Sequence, residues 1–252
     1  MNNSEMTFGY IKNFFDDYGL AIPVNLGIAT YPHVLITGAS GSGKSKALLF
    51  LIGKILQSHS KIVLYICDFK NSDDFSFFQG YPYYFAGKQC YKGIMDYYTK
   101  FTEVREKGET GKRYILICDE YPAFINYLQM KDKTEKTKYA NDILGAVAEI
   151  LMLGRGIQFG VWIVTQRSDS ILFSNGSRDN FMIIIGLGRL SKEQKSMIFA
   201  GQEIPDAIMG AGEGMLLADG KEIIEVKYPL IKNEKTWKKN ILKILFSHTT
   251  DL

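Results

Sequence analysis

The residues Gly38-Ala39-Ser40-Gly41-Ser42-Gly43-Lys44-Ser45 carry a glycine, four intervening residues and then Gly-Lys-Ser. The spacing is that of a phosphate-binding P-loop. Small residues let the backbone wrap around an anion so that successive N–H groups, and the first turn of the helix that follows, point at it. Lys44 would then neutralise the β- and γ-phosphates of a nucleotide, and the Ser45 hydroxyl would ligate Mg2+. The rival glycine pattern, G-x-G-x-x-G of dinucleotide-binding folds, fails because its third glycine falls on Lys46.

Three further groups fit phosphate chemistry. The run Tyr114-Ile115-Leu116-Ile117-Cys118-Asp119-Glu120 is an apolar strand ending in two carboxylates. Beside a phosphate loop, Asp119 would serve Mg2+, usually through water, and Glu120 would polarise an attacking water. Taken alone, a hydrophobic strand ending in Asp-Glu is also an ordinary strand end. The run Val161-Trp162-Ile163-Val164-Thr165-Gln166 is a second such strand, whose terminal amide can hydrogen-bond a γ-phosphate or its water. Arg155 leaves a long helix between Gly154 and Gly156. There it is either a solvated charge favoured by the helix dipole or a finger for a neighbouring subunit's phosphate.

These groups need a scaffold, and the sequence supplies one by alternation. Apolar strand-like runs at 33–37, 61–68, 114–119, 161–165, 181–185 and 214–217 alternate with helical periods at 45–57, 91–106, 139–153 and 192–199, and 223–227 reads as a strand pairing back on 214–217. Alternation of this kind predicts an α/β fold with a mainly parallel sheet flanked by helices. The charged stretch 130–142 lacks an apolar period and reads as a solvated, mobile insertion. The last segment, 235–248, sets Trp237, Ile241, Ile244 and Leu245 against Lys238, Lys239 and Lys243, an amphipathic basic helix. It either docks on the core with its lysines in water or touches nucleic acid, a partner or lipid headgroups. Three regions follow: a short N-terminal extension (1–30), a nucleotide-binding domain (31–230), and the C-terminal helix and tail (231–252).

Composition narrows the class. The 252 residues are 46% hydrophobic and 23% charged, ordinary for a globular chain. Lysine plus arginine (30) against aspartate plus glutamate (27) leaves +3, too little for a polybasic protein, so any nucleic-acid contact must be a local patch. Three cysteines without a C-x-x-C pair suggest reduced thiols and give no zinc pattern. No apolar run approaches the roughly 20 residues of a bilayer span, and the first residues do not read as a signal peptide, so a cytoplasmic location is expected.

From about Pro32 to Pro229 the chain resembles the FtsK/SpoIIIE branch of the FtsK-HerA P-loop motors. Pro32-His33 leading the P-loop strand, Asp68-Phe69-Lys70 (where the family has Asp-Pro-Lys), Asp119-Glu120, Arg155-Gly156-x-x-x-Gly160, Thr165-Gln166-Arg167, Arg178-Asp179-Asn180 and Gly212-Glu213-Gly214 are similar to its motifs, in order. Ser168 stands where chromosome-segregation members place proline, and their N-terminal membrane region and C-terminal winged helix have no counterpart. What remains resembles the small motors or coupling proteins of conjugative plasmids and integrative elements.

The resemblance implies a RecA-like P-loop ATPase, using ATP and Mg2+ to move DNA, single- or double-stranded, through a hexameric ring. It assigns nucleotide binding to the P-loop, Mg2+ to Ser45 and Asp119, hydrolysis to Glu120, γ-phosphate sensing to Gln166 and a trans-acting finger to Arg155. By resemblance, DNA-facing loops fall at 130–142 and 168–179, with Lys131, Lys133, Lys136, Lys138 and Arg178 as candidate contacts. A relaxase or membrane-protein partner is implied, with peripheral recruitment to the inner face of a membrane. Two alternatives stand beside this reading: a protein-secretion ATPase of the type VII kind, and a metabolic P-loop enzyme.

Overall fold

The computed structural model describes residues 5–108, 111–166 and 179–249. Arg167, Arg178 and the intervening loop lie outside the described residues. Ten strands form one sheet: β1 (Glu5–Ile11), β2 (Pro23–Gly27), β3 (Val34–Gly38), β4 (Ile62–Asp68), β5 (Tyr84–Ala86), β6 (Arg113–Asp119), β7 (Phe159–Thr165), β8 (Ile183–Leu187), β9 (Glu213–Ala218) and β10 (Ile224–Lys227). Their order is β2-β1-β10-β9-β8-β3-β7-β6-β4-β5. The six from β8 to β5 run parallel, and β9, β10, β1 and β2 add on antiparallel.

Helices α2 (Lys44–Ser58) and α3 (Cys90–Lys107) follow β3 and β5; α4 (Tyr121–Glu135) and α5 (Tyr139–Leu153) join β6 to β7. Helices α6 (Lys192–Ile198) and α7 (Glu234–Thr249) complete the C-terminal half, and α1 (Lys12–Tyr18) lies between β1 and β2. The sheet is buried on both faces, and its strands sort by the two-residue period of the pleat. Val34, Ile36, Ile115, Ile117, Trp162 and Val164 face one core with α2 and α7. Leu35, Leu116, Cys118, Val161 and Ile163 face the other, with α3, α4 and α5.

Several elements differ from the sequence reading. Residues 5–27, within the short N-terminal extension expected from the sequence, hold β1 and β2, which pair into the sheet, and Met6, Phe8 and Leu26 are buried in the core. The stretch 130–142 is no loop. Helix α4 runs to Glu135 and α5 begins at Tyr139. Asp132 organises the turn between them, accepting from the Thr137 hydroxyl (2.6 Å) and from the Tyr139 and Ala140 N–H groups (2.9 and 2.8 Å). That carboxylate caps the free N–H groups of α5 from seven and eight residues upstream, beyond any local capping pattern. Helix α4 carries Pro122 in its first turn, where a proline opens a helix without disturbing it. The strand Tyr84–Ala86 is three residues long and has no sequence period of its own.

The C-terminal helix docks on the core. Ile241 and Leu245 are buried, Trp237 lies against Gly53 of α2, and Lys235, Lys239 and Lys243 are exposed. Among the described residues, no helix is long and apolar enough to cross a membrane.

Candidate nucleotide site

The P-loop joins β3 to α2. Gly41 and Gly43 have φ of 79° and 93°. At Gly43 a Cβ would also stand 2.8 Å from the Gly212 nitrogen, so both conformation and space demand glycine. Gly212 donates its N–H to the Ser42 carbonyl (2.9 Å), so the turn before β9 braces the loop from behind. No side chain caps the start of α2, which leaves its first N–H groups to an incoming anion.

Strand register brings the polar tips together. Thr37 of β3 pairs with Thr165 of β7, and Asp119 of β6 pairs with Asp68 of β4. The P-loop, Gln166, Asp119–Glu120 and the turn after Asp68 therefore leave the sheet at one edge, where parallel α/β sheets bind ligands. They enclose a cavity of about 300 Å³ lined by Ser40, Gly41, Gly43, Lys44, Ser45, Lys46, Lys70, Ser72, Asp74, Asp119, Glu120 and Gln166.

Within it, the Lys44 ammonium donates to the Gly38 and Ala39 carbonyls (2.7 and 3.0 Å), folded back on its own loop. Burial lowers its pKa from the ordinary lysine value. Burial, then the neighbouring Glu120 and Asp68 carboxylates, push Asp119 up to about 7, against the partial relief of Lys44. Glu120 has φ 55° and ψ 38°, left-handed backbone that costs a non-glycine residue about 1 kcal/mol. Such strain is held where geometry matters, and here it turns the carboxylate to accept from Gln166 Nε2 at 2.7 Å. A hydroxyl (Ser45) and a half-buried carboxylate with no ion pair among the described residues (Asp119) are hard oxygen donors, a set that fits Mg2+.

Arg155 is elsewhere. It sits in a 3-10 turn, Gly154–Ile157, before the start of β7, whereas Gln166 follows its end. Seven strand residues at about 3.3 Å each separate the two by about 20 Å. The exposed Arg155 thus lies at the opposite end of β7 from the tip that reaches its own chain's P-loop. Lys133, Lys136 and Lys138 are exposed at the α4–α5 turn; Lys131 is partly engaged, 3.5 Å from Glu135 and over the Tyr139 ring. None of the four lines the cavity. Sequence reasoning missed Lys46, Ser72 and Asp74 as cavity residues, and noted Lys70 only as part of Asp68-Phe69-Lys70. The signal available was that the Asp-Phe-Lys run ends a buried strand, as Asp119-Glu120 does.

Residues 10–110 match the model of the FtsK/SpoIIIE family. Over those residues the chain is similar to the FtsK/SpoIIIE family. It is 26% identical over 188 residues to the FtsK domain-containing protein YdcQ of Bacillus subtilis, an alignment covering 68% of this chain and 37% of that one. The chain thus spans little more than a third of that relative. In fold, the chain is similar to the pCW3 conjugation coupling protein TcpA, solved as a monomer with ATPγS (TM-score 0.74, 19% identity, 96% of this chain and 71% of that one). It is also similar to the cytoplasmic domain of the type VII secretion ATPase EccC of Thermomonospora curvata (TM-score 0.70, 18% identity, 97% and 31%). The α/β fold expected of an FtsK-type motor is the one observed.

Proposed function

We propose that the chain is an ATP-dependent DNA translocase motor of the FtsK/SpoIIIE type, working in conjugative or plasmid DNA transfer or processing as a hexameric ring. The observation that carries this reading is the split of its catalytic set: P-loop, Asp119, Glu120 and Gln166 at one edge of the sheet, Arg155 about 20 Å away at the other. A chain so arranged needs a neighbour to complete its site, which is how ring motors couple hydrolysis to movement between subunits.

In this reading the P-loop N–H groups and Lys44 hold the nucleotide phosphates, and Ser45 and Asp119 hold Mg2+. The bound Mg2+ would neutralise charge on the β- and γ-phosphates. Glu120 accepts the proton of the attacking water while Gln166 orients it. The neighbour's Arg155 stabilises the charge on the transferring phosphoryl group. DNA would be gripped through phosphates by Lys133, Lys136 and Lys138, with Lys131 and Arg178 in support, giving no base preference. The likeness to a conjugation coupling protein supports DNA as the polymer, and a relaxase or membrane protein would recruit the motor.

The similarity to EccC favours a second reading, in which a polypeptide is the substrate. ATPase rates with no polymer, double-stranded DNA and single-stranded DNA, run beside a mass measurement of the assembly, separate the two. Stimulation by DNA, lost when Lys133, Lys136 and Lys138 are changed to Ala, supports translocation. Rates indifferent to every DNA overturn it.

A further inference from the structure

We propose that Lys70 is a second cation of the nucleotide site, one that grips the terminal phosphate and so makes the site prefer a nucleoside triphosphate over a diphosphate. The inference rests on the nucleotide-binding reading above and adds to it a residue outside the P-loop.

Three lysines line the cavity, and two are already engaged. Lys44 donates to the Gly38 and Ala39 carbonyls. Lys46 donates to Glu234 at 2.8 Å and to Asp74 at 3.3 Å. Lys70 makes no hydrogen bond or ion pair among the described residues, although it faces the same cavity as Asp119 and Glu120.

Its place is fixed through its backbone. Asp68, wholly buried at the end of β4, accepts the Ser72 N–H (2.9 Å) and the Tyr84 hydroxyl (3.1 Å) on Oδ2, and its carbonyl accepts the Asn71 N–H (3.2 Å). Asn71 takes the left-handed conformation that closes this turn, φ 52°. Lys70 is thus held on a preformed turn, two residues beyond the in-register neighbour of Asp119. A second feature of the turn points the same way. Ser72, which lines the cavity beside Lys70, carries a buried hydroxyl with no hydrogen-bond partner among the described residues, a polar group within the turn left to be satisfied.

The phosphate that must come near Glu120 and Gln166 is the terminal one, and the turn beside them is the one carrying Lys70 and Ser72. A diphosphate, held by the P-loop alone, ends short of that wall. The compact lysine charge on a long stem suits a group that arrives with one nucleotide and leaves with another.

The test is equilibrium binding of fluorescent ATPγS and ADP to the full chain with Mg2+, comparing wild type with Lys70→Ala and Lys70→Arg. We expect Lys70→Ala to weaken ATPγS binding about tenfold, the scale of one charge-assisted contact, with ADP affinity and melting temperature unchanged, and Lys70→Arg to recover most of the loss. Unchanged ATPγS affinity in Lys70→Ala, or equal losses for ATPγS and ADP, would overturn the assignment while leaving the nucleotide reading intact. A wild-type chain that binds neither nucleotide would overturn both.

Discussion

Gln166 donates a hydrogen bond to Glu120 across the end of the cavity, Nε2 to Oε1 at 2.7 Å, linking the tips of β7 and β6. The contact holds the carboxylate by one oxygen, and its other oxygen accepts no side-chain hydrogen bond among the described residues. Glu120→Gln preserves the shape and can still accept from Gln166, but an amide cannot take a proton. Nucleotide affinity should stay near wild type while turnover falls by about 10²-fold or more, in line with loss of a general base. Binding and steady-state assays on one preparation check this; wild-type turnover would move the base to another residue.

Lys44 and Arg155 stand at opposite edges of the sheet and should therefore complement between subunits. Lys44→Ala should abolish nucleotide binding, and Arg155→Ala should leave it intact while stopping hydrolysis. Mixed in one assembly, the two variants should regain part of the activity, because some interfaces then join an intact P-loop to an intact arginine. No recovery in assemblies shown to be mixed would assign Arg155 a purely structural role.

His33 at the start of β3 is wholly buried, and its Nδ1 accepts the Val161 N–H at 3.2 Å. Burial, with a smaller push from the Arg155 charge, lowers it to about 4. Its folded pKa is depressed from about 6.5. Its contribution is therefore complete above pH 6.5 and is lost as pH falls toward 4, about 3 kcal/mol in all at about 1.4 kcal/mol per pH unit. His33→Asn keeps an acceptor for Val161 and does not titrate, so its melting temperature should fall less between pH 6.5 and 4.5 than that of wild type. Parallel pH profiles would count against this.

Gly53, in the middle of α2, meets the Trp237 ring of α7: a Cβ there would lie 2.2 Å from Cζ2. Gly→Ala in a helix normally stabilises by about 0.5–1 kcal/mol, but here it must displace an indole whose Nε1 donates to the Leu49 carbonyl (3.3 Å). Overpacking costs about 1–3 kcal/mol, so Gly53→Ala should lower the melting temperature. In a Trp237→Ala background the same change should become neutral or stabilising. Equal effects in both backgrounds would mean that the helices do not meet there.

The candidate site was legible in the sequence because its parts are local. The P-loop is eight consecutive residues, and Asp119–Glu120 and Gln166 each terminate an apolar run, so strand, tip and chemistry can be read together. Parallel strands then place such tips at one edge whatever the details. What the sequence could not settle depended on contacts between distant residues. Residues 5–27 look like a tail until β1 finds β10 more than 200 positions away. Asp132 turns a charged stretch into a helix pair by capping N–H groups seven and eight residues on, a reach no helical period reveals. The cavity role of Lys70 and Ser72 needed the register of β4 against β6, and the distance of Arg155 from its own P-loop needed the direction of β7. Local chemistry is written along the chain, whereas pairing across the sheet is decided only when the core closes, because burial rather than propensity selects which strands become neighbours.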